Sequence, residues 1–228
     1  GVTWGAGRMI VAIDGPAGAG KSTVARAVAD ALGVGYVDTG AMYRALTLLA
    51  LRSGVDLDDD AVLADLARAN PVRLDHGSSG LRVYIAGDDV TMAIREADVT
   101  GAVSQVAAHP GVRAEMVDRQ RDIMAIGDWV SDGRDIGSVV CPDAAVKVFL
   151  TASVDERARR RHAELVARGE KVDLRVIRDD VERRDHADSS RAASPLVVAD
   201  GAVILDTTGM GIDEVVRRIA GMAAEARA

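Results

Sequence analysis

Residues Gly15 to Ser22 read Gly-Pro-Ala-Gly-Ala-Gly-Lys-Ser, which fits G-x-x-x-x-G-K-[ST] without a substitution. A short apolar run, Met9 to Ile13, precedes them, and Thr23 to Leu32 follows with Val24, Val28, Ala31 and Leu32 at helical spacing. Apolar strand, glycine-rich turn and amphipathic helix, in that order, form the context that makes such a motif a phosphate cradle. Glycines let the backbone wrap closely round an anion. The loop N–H groups and the helix N-terminus supply positive ends of dipoles. Gly15, Pro16, Ala17, Gly18, Ala19, Gly20, Lys21, Ser22 and Thr23 are therefore the candidate triphosphate-binding residues. Lys21 reaches the β- and γ-phosphates in this motif, and the Ser22 hydroxyl binds Mg²⁺.

The rest of the chain repeats the alternation. Strands are expected near residues 10–13, 34–37, 129–131, 145–150 and 203–205, with helices at 23–32, 41–52, 58–69, 94–107, 110–124, 154–168, 173–188 and 212–226. Either Thr39 or Asp38 suits the N-cap of the second helix. This order predicts an α/β fold, a three-layer arrangement with a central parallel sheet. Residues 70–90 break the pattern. Val72-Arg73-Leu74 and the alternating Leu81 to Ile85, joined across His76 to Gly80, read as a hairpin. About 66–105 is expected to be a small inserted domain within a single domain spanning 9–226, and 1–8 a flexible extension.

Composition removes several functions. The chain of 228 residues carries a net charge of −7, which argues against a general nucleic-acid binder. Its one cysteine, Cys141, forms no intrachain disulfide, so a reducing, cytoplasmic setting is expected. No apolar run approaches the roughly 18 residues of a membrane span. Any site for a second anion must be a local cluster of arginines.

Such clusters exist. Asp132-Gly133-Arg134-Asp135 follows a strand, where Asp132 is placed to hold Mg²⁺ directly or through water; an Asp-Gly turn is its other reading. Arg157, Arg159, Arg160 and Arg161 crowd one helix, with Arg157 and Arg161 four apart on one face. About 155–172 reads as a mobile lid closing over a triphosphate. The helix 173–188 carries the stripe Leu174, Ile177, Val181, which continues into Arg184, Asp188 and Arg191. Charges on an inward stripe suggest a polar pocket or an internal Arg–Asp salt bridge. Arg113 has no carboxylate one turn away, and solvation alone also accounts for it.

Taken together these segments resemble the bacterial-type cytidylate kinases of the nucleoside monophosphate kinase group. The matching pieces are Ile13 to Ser22, Asp38-Thr39-Gly40-Ala41-Met42-Tyr43-Arg44, Ser104 to Ala107 with Val112-Arg113, Asp132 to Gly137, and Arg184-Asp185 through Asp188 to Arg191-Ala192. The resemblance implies a P-loop kinase with an inserted monophosphate-binding domain and a mobile lid, transferring phosphoryl from ATP to CMP and dCMP with Mg²⁺. It implies that Arg44 and Arg134 bind the CMP phosphate, that Thr39 and Tyr43 line the acceptor site, and that Ser104, Arg113 and Asp135 read the cytosine edge. Arg184 and Asp188 would hold the ribose, with Arg191 near the phosphate. Lys21, Asp132, Arg134, Arg157 and Arg161 are the expected catalytic residues. A monomer without nucleic-acid or membrane partners is expected. Against adenylate kinase stands Arg134-Asp135 where that enzyme continues Phe-Pro-Arg, and against a nucleotide switch the lack of an Asn-Lys-x-Asp motif.

Overall fold

The computed structural model describes residues 8–77 and 80–227. Of the expected extension 1–8, all but Arg8 lies outside the described residues, as do Ser78 and Ser79 of the expected hairpin turn. In order, the chain forms β1 (Ile10–Asp14), α1 (Lys21–Leu32), β2 (Gly35–Asp38), α2 (Thr39–Ser53), α3 (Asp60–Ala69), β3 (Arg73–Gly77), β4 (Gly80–Ile85) and β5 (Asp88–Asp89). Then come a 3₁₀ turn (Ala93–Arg95), α4 (Ala97–Val106), α5 (Pro110–Ile123), β6 (Trp129–Gly133) and a π-helical turn (Ile136–Val140). The chain ends with β7 (Val146–Thr151), α6 (Val154–Ala167), α7 (Leu174–Ser190), β8 (Val203–Asp206) and α8 (Ile212–Arg227). Two compact units result, Gly1–Tyr36 with Met124–Ala228, and Val37–Ile123.

The first unit is built on a sheet of order β2-β6-β1-β7-β8. β1 runs parallel to both β6 and β7, and β7 parallel to β8. All five residues of β1 are buried, as a central parallel strand with both faces covered requires. β7 alternates buried Val146, Val148 and Leu150 with half-buried Lys147, Phe149 and Thr151, and Lys147 donates from Nζ to the Asp200 carbonyl at 3.0 Å. α1 buries Val24, Ala25, Val28 and Ala29, and packs against α8, which buries Val215, Ile219 and Ala223. Gly33 ends α1 in the left-handed region, donating to Ala29 and Asp30.

The second unit centres on α2. The Asp38 carboxylate accepts from Ala41 N at 2.8 Å, so Asp38 is the cap and Thr39 the first helical residue. α2 packs on α4 and β4, and α3 packs on α5. α3 begins at Asp60, two residues later than the sequence suggests, because the Asp59 side chain caps it. β3 and β4 pair antiparallel, with β5 added on the far edge of β4. The single helix expected from Ile94 to Ala107 is broken at Glu96, whose extended backbone (ψ 157°) separates the 3₁₀ turn from α4. Residues 66–105 lie wholly within this unit.

Candidate active site

The phosphate loop owes its path to close backbone approaches. A Cβ on Gly15 would lie 2.0 Å from the Leu150 carbonyl oxygen, so only glycine lets the loop leave β1 beside β7. At Gly18 a Cβ would meet Arg157 at 3.2 Å. α1 starts at Lys21 with no side-chain cap and no acidic residue in its first turn, leaving its N-terminal amides for an anion. Lys21 is buried and donates from Nζ to the Pro16 carbonyl at 2.8 Å. Burial, then the positive charge of Arg134, push its ammonium down to about 7. Asp132, Asp188 and Asp14 oppose this shift, and an anion in the loop would favour the charged ammonium further.

Beside the loop, the Ser22 hydroxyl donates to Asp132 Oδ2 at 2.8 Å. The Tyr36 hydroxyl donates to Oδ1 of the same carboxylate at 2.7 Å. β6 places Asp132 opposite Ile13 of β1. A hydroxyl and a carboxylate are hard oxygen donors of the type Mg²⁺ prefers, and the described residues hold no cluster of three or more His, Cys, Asp or Glu that would cage a metal. That set fits an ion carried largely by substrate phosphates and water.

On helix α6 the arginines take different partners. Arg157 and Arg160, three apart, donate to phosphate-loop carbonyls, whereas Arg161 pairs with Glu164 at 3.1 Å and its charge acts on Arg184. Arg157 is turned onto neighbouring groups of the chain. Its guanidinium donates to the Ala152 carbonyl (3.0 Å), to the Ala17 carbonyl (2.9 Å) and, with two nitrogens, to Asp185 of α7 (3.0 and 2.6 Å). Its charge therefore supports the loop from behind. Arg160 bonds Thr207 through the hydroxyl (3.0 Å) and the carbonyl (2.8 Å).

On α7 the inward stripe is Ile177, Val181 and Asp188, with Leu174 exposed. Arg134 Nε donates to Asp188 Oδ2 at 2.7 Å, and Arg191 NH1 lies 4.0 Å from Oδ1. The internal salt bridge thus exists, but it is outnumbered. Burial pushes the Asp188 carboxyl up, and Arg134, Arg191 and Arg184 more than reverse this, holding it low. Arg184 is pushed down by burial and by Arg134, and its Nε is buried without a hydrogen-bond partner among the described residues. Three guanidiniums thus act on the Asp188 carboxylate, while Asp132 and Asp185 also act on Arg134 and Asp180 on Arg184. Next to them, Asp135 is buried ahead of the π-helical turn. The Asp14 carboxylate accepts from Ile136 N and Gly137 N, at 2.8 and 2.7 Å.

The second unit presents its own polar group. Thr39, Tyr43 and Arg44 share the first turns of α2. The Arg113 guanidinium sits 5.3 Å from the centre of the Tyr43 ring and donates to the Ala107 carbonyl at 3.1 Å. Arg44 donates to the Thr100 hydroxyl at 2.9 Å, and Ser104 is half-buried on α4. Sequence patterns assign no role to Tyr36, Asp14 or Asp185, although the last two fall inside the matching segments. Their partners lie 96, 122 and 28 residues away, beyond the reach of any local periodicity.

A parallel sheet with a glycine-rich loop and Lys-Ser at the start of its first helix, and an arginine cluster beyond the neighbouring strand, defines a phosphate-loop kinase. Comparison with known proteins narrows this. Residues 11–225 match the family described as cytidylate kinase. A cytidylate kinase from Geobacillus sp. (strain WCH70) is 53% identical over 209 residues, 92% of this chain and 93% of that protein. One from Exiguobacterium sibiricum is 52% identical over 213 residues, 93% of this chain and 96% of that protein. The chain belongs to the cytidylate kinase family.

Proposed function

We infer that this chain transfers the γ-phosphoryl group of ATP to CMP and dCMP, giving ADP and CDP or dCDP. Family membership supports the reaction. The observation that supports the step from a triphosphate-binding protein to one with an anionic acceptor is the clustering of Arg134, Arg184 and Arg191 about Asp188, with Arg184 Nε buried and without a hydrogen-bond partner among the described residues.

In this reading Gly15 to Thr23 hold the ATP phosphates, and Lys21 neutralises charge at the β- and γ-phosphates. A CMP phosphate oxygen attacks the γ-phosphorus in line, the new P–O bond forms as the bond to the β-phosphate oxygen breaks, and ADP leaves. Arg134, and in the second unit Arg44, bind the CMP phosphate, with Arg191 near it. Arg184 and Asp188 hold the ribose. Thr39 and Tyr43 line the acceptor site, and Ser104, Arg113 and Asp135 recognise cytosine. Ser22 and Asp132 would hold Mg²⁺, which supplies charge neutralisation on the phosphates when bound. Arg161 remains the proposed catalytic arginine of α6. A lid over 155–172 is restrained in its first two turns, where Arg157 and Arg160 are anchored to the phosphate-loop carbonyls and Thr207.

We further propose a cytoplasmic monomer without nucleic-acid partners. The acidic net charge and the single, buried Cys141 support this. Among the described residues no helix is long and apolar enough to cross a membrane.

The test is coupled ADP release with ATP and each of CMP, dCMP, UMP, AMP and shikimate. CMP and dCMP are expected to turn over well and UMP poorly. Stimulation by AMP or shikimate but not by CMP overturns the assignment.

A further inference from the structure

The reaction as described makes no use of Asp14, although it is among the most confined charged groups in the molecule. It is the last residue of β1, immediately ahead of the phosphate loop, and is 4% exposed. In the sheet it stands opposite Gly133, the last residue of β6. Beyond that pair the ladder stops, because Gly15 (φ 150°) turns β1 away into the loop. The chain leaving β6 still carries backbone N–H groups that need acceptors. Asp14 supplies them: one carboxylate oxygen accepts from Ile136 N at 2.8 Å and the other from Gly137 N at 2.7 Å. The side chain thus continues the β1–β6 pairing after the backbone has departed.

What it holds is the segment Arg134-Asp135, clasped between the Gly133 pair and these two bonds. The Gly137 side of the segment is also closed. A Cβ there would meet Lys147 and Ala199 at 3.3 Å, so the backbone is packed from behind while Asp14 pulls from the front. We propose that Asp14 is a positioning residue for the acceptor, fixing the distance between the phosphate loop, which it precedes, and the Arg134–Asp135 pair, which it tethers. This rests on the reading of Arg134 and Asp135 as CMP-binding residues. Charged hydrogen bonds to two successive amides define position more tightly than a single neutral one.

Asp14→Asn tests the role, because an amide has one acceptor oxygen and turns a donor toward the second N–H. Steady-state kinetics with ATP and CMP varied separately, binding of a fluorescent ADP analogue, and thermal melting are measured on wild type and variant. Losing one bond of this kind corresponds to about tenfold to a hundredfold. KM for CMP is expected to rise by at least about tenfold on that basis, while KM for ATP and the analogue's Kd stay within about twofold. A parallel rise in both KM values marks a merely structural role and overturns the proposal, as does no change in either. Should Asp14→Asn melt below the assay temperature, Asp14→Glu carries the test, since its carboxylate keeps both acceptors but displaces them by one methylene. The same CMP-selective rise is expected, and an equal rise for both substrates overturns the proposal. A wild-type protein that leaves CMP unphosphorylated refutes the functional reading, and the positioning role with it. An active wild type with an unsplit variant refutes the positioning role alone.

Discussion

Replacing Arg157 by methionine separates two roles for the arginine-rich helix. Methionine keeps an apolar stem beside Gly18 and removes the guanidinium. Asp185 then loses both of its bonds to that group, and the Ala17 and Ala152 carbonyls each lose a donor. Breaking a buried ion pair by removing one partner costs about 3–5 kcal/mol. The Arg157 side chain is 5% exposed but Asp185 is 24% exposed, so water partly solvates the abandoned carboxylate. That argues for the lower end, about 3 kcal/mol. For a chain of this length each kcal/mol moves Tm by about 2–4 °C, giving a fall of about 6–12 °C. Asp185→Asn should be milder, and the double variant should recover part of the loss. A coupling energy of about 2 kcal/mol is expected from a double-mutant cycle. KM for ATP should rise, since the Ala17 carbonyl helps set the loop, with kcat lowered modestly. An arginine that neutralises the transferring phosphoryl group behaves otherwise, losing about 10³–10⁵ in kcat. A Tm unchanged within about 2 °C together with a thousandfold loss of kcat would refute the supporting role argued from the structure.

Lys21→Ala should lower kcat by about 10²–10³, the scale of losing one charge directed at the transition state, with the far-ultraviolet spectrum unchanged. Its effect on stability depends on pH. Lys21 falls from 10.5 unfolded to about 7 folded, so the unfolded chain binds more protons between these values and wild-type stability rises with pH there. The variant's Tm relative to wild type should therefore drop as pH goes from 7 to 9, and a difference flat in pH contradicts the burial of this ammonium. Tyr36→Phe removes one of the two hydroxyls donated to Asp132 and should weaken Mn²⁺ binding to the enzyme–ADP complex, read by electron paramagnetic resonance. A loss of about 1.5–3 kcal/mol is expected for a bond to a charged group, and an unchanged Mn²⁺ titration would remove Tyr36 from the metal site.

Much of the first unit is legible in the chain because its signals are local. The Gly15 to Ser22 motif, the apolar run of β1 and the periodicity of α1 each lie within one window of residues. Helix α7 shows where such reading weakens. Its stripe correctly leads to Asp188, but Leu174 on the same stripe is exposed, because periodicity fixes a face and not how far the neighbouring surface extends. On α6 the i,i+4 rule favours Arg157 with Arg161, while the loop actually lies toward Arg157 and Arg160. Helical neighbours at three and four residues are equally allowed, and only the position of Thr207 and Ala19 decides between them. Glu96 breaks a helix that composition would have run straight through. The supporting bonds of Tyr36 and Asp14 depend on which strands lie side by side, and order along the chain does not state that.

Asp185 and Asp188 lie one turn apart on α7, the first bonded to the arginine behind the phosphate loop and the second to Arg134. Both attachments depend on helical phase. Inserting or deleting a single residue near the start of α7 rotates everything beyond it by about 100° and shifts it by about 1.5 Å. Asp185 and Asp188 would leave their partners together. Exposed positions such as Val176, Glu182 and Arg183 are open to many side chains, but the number of residues between the α6–α7 turn and Asp188 is not free to drift. Among relatives of this chain, insertions and deletions should gather before Leu174 or after Arg191, and spare the helix between.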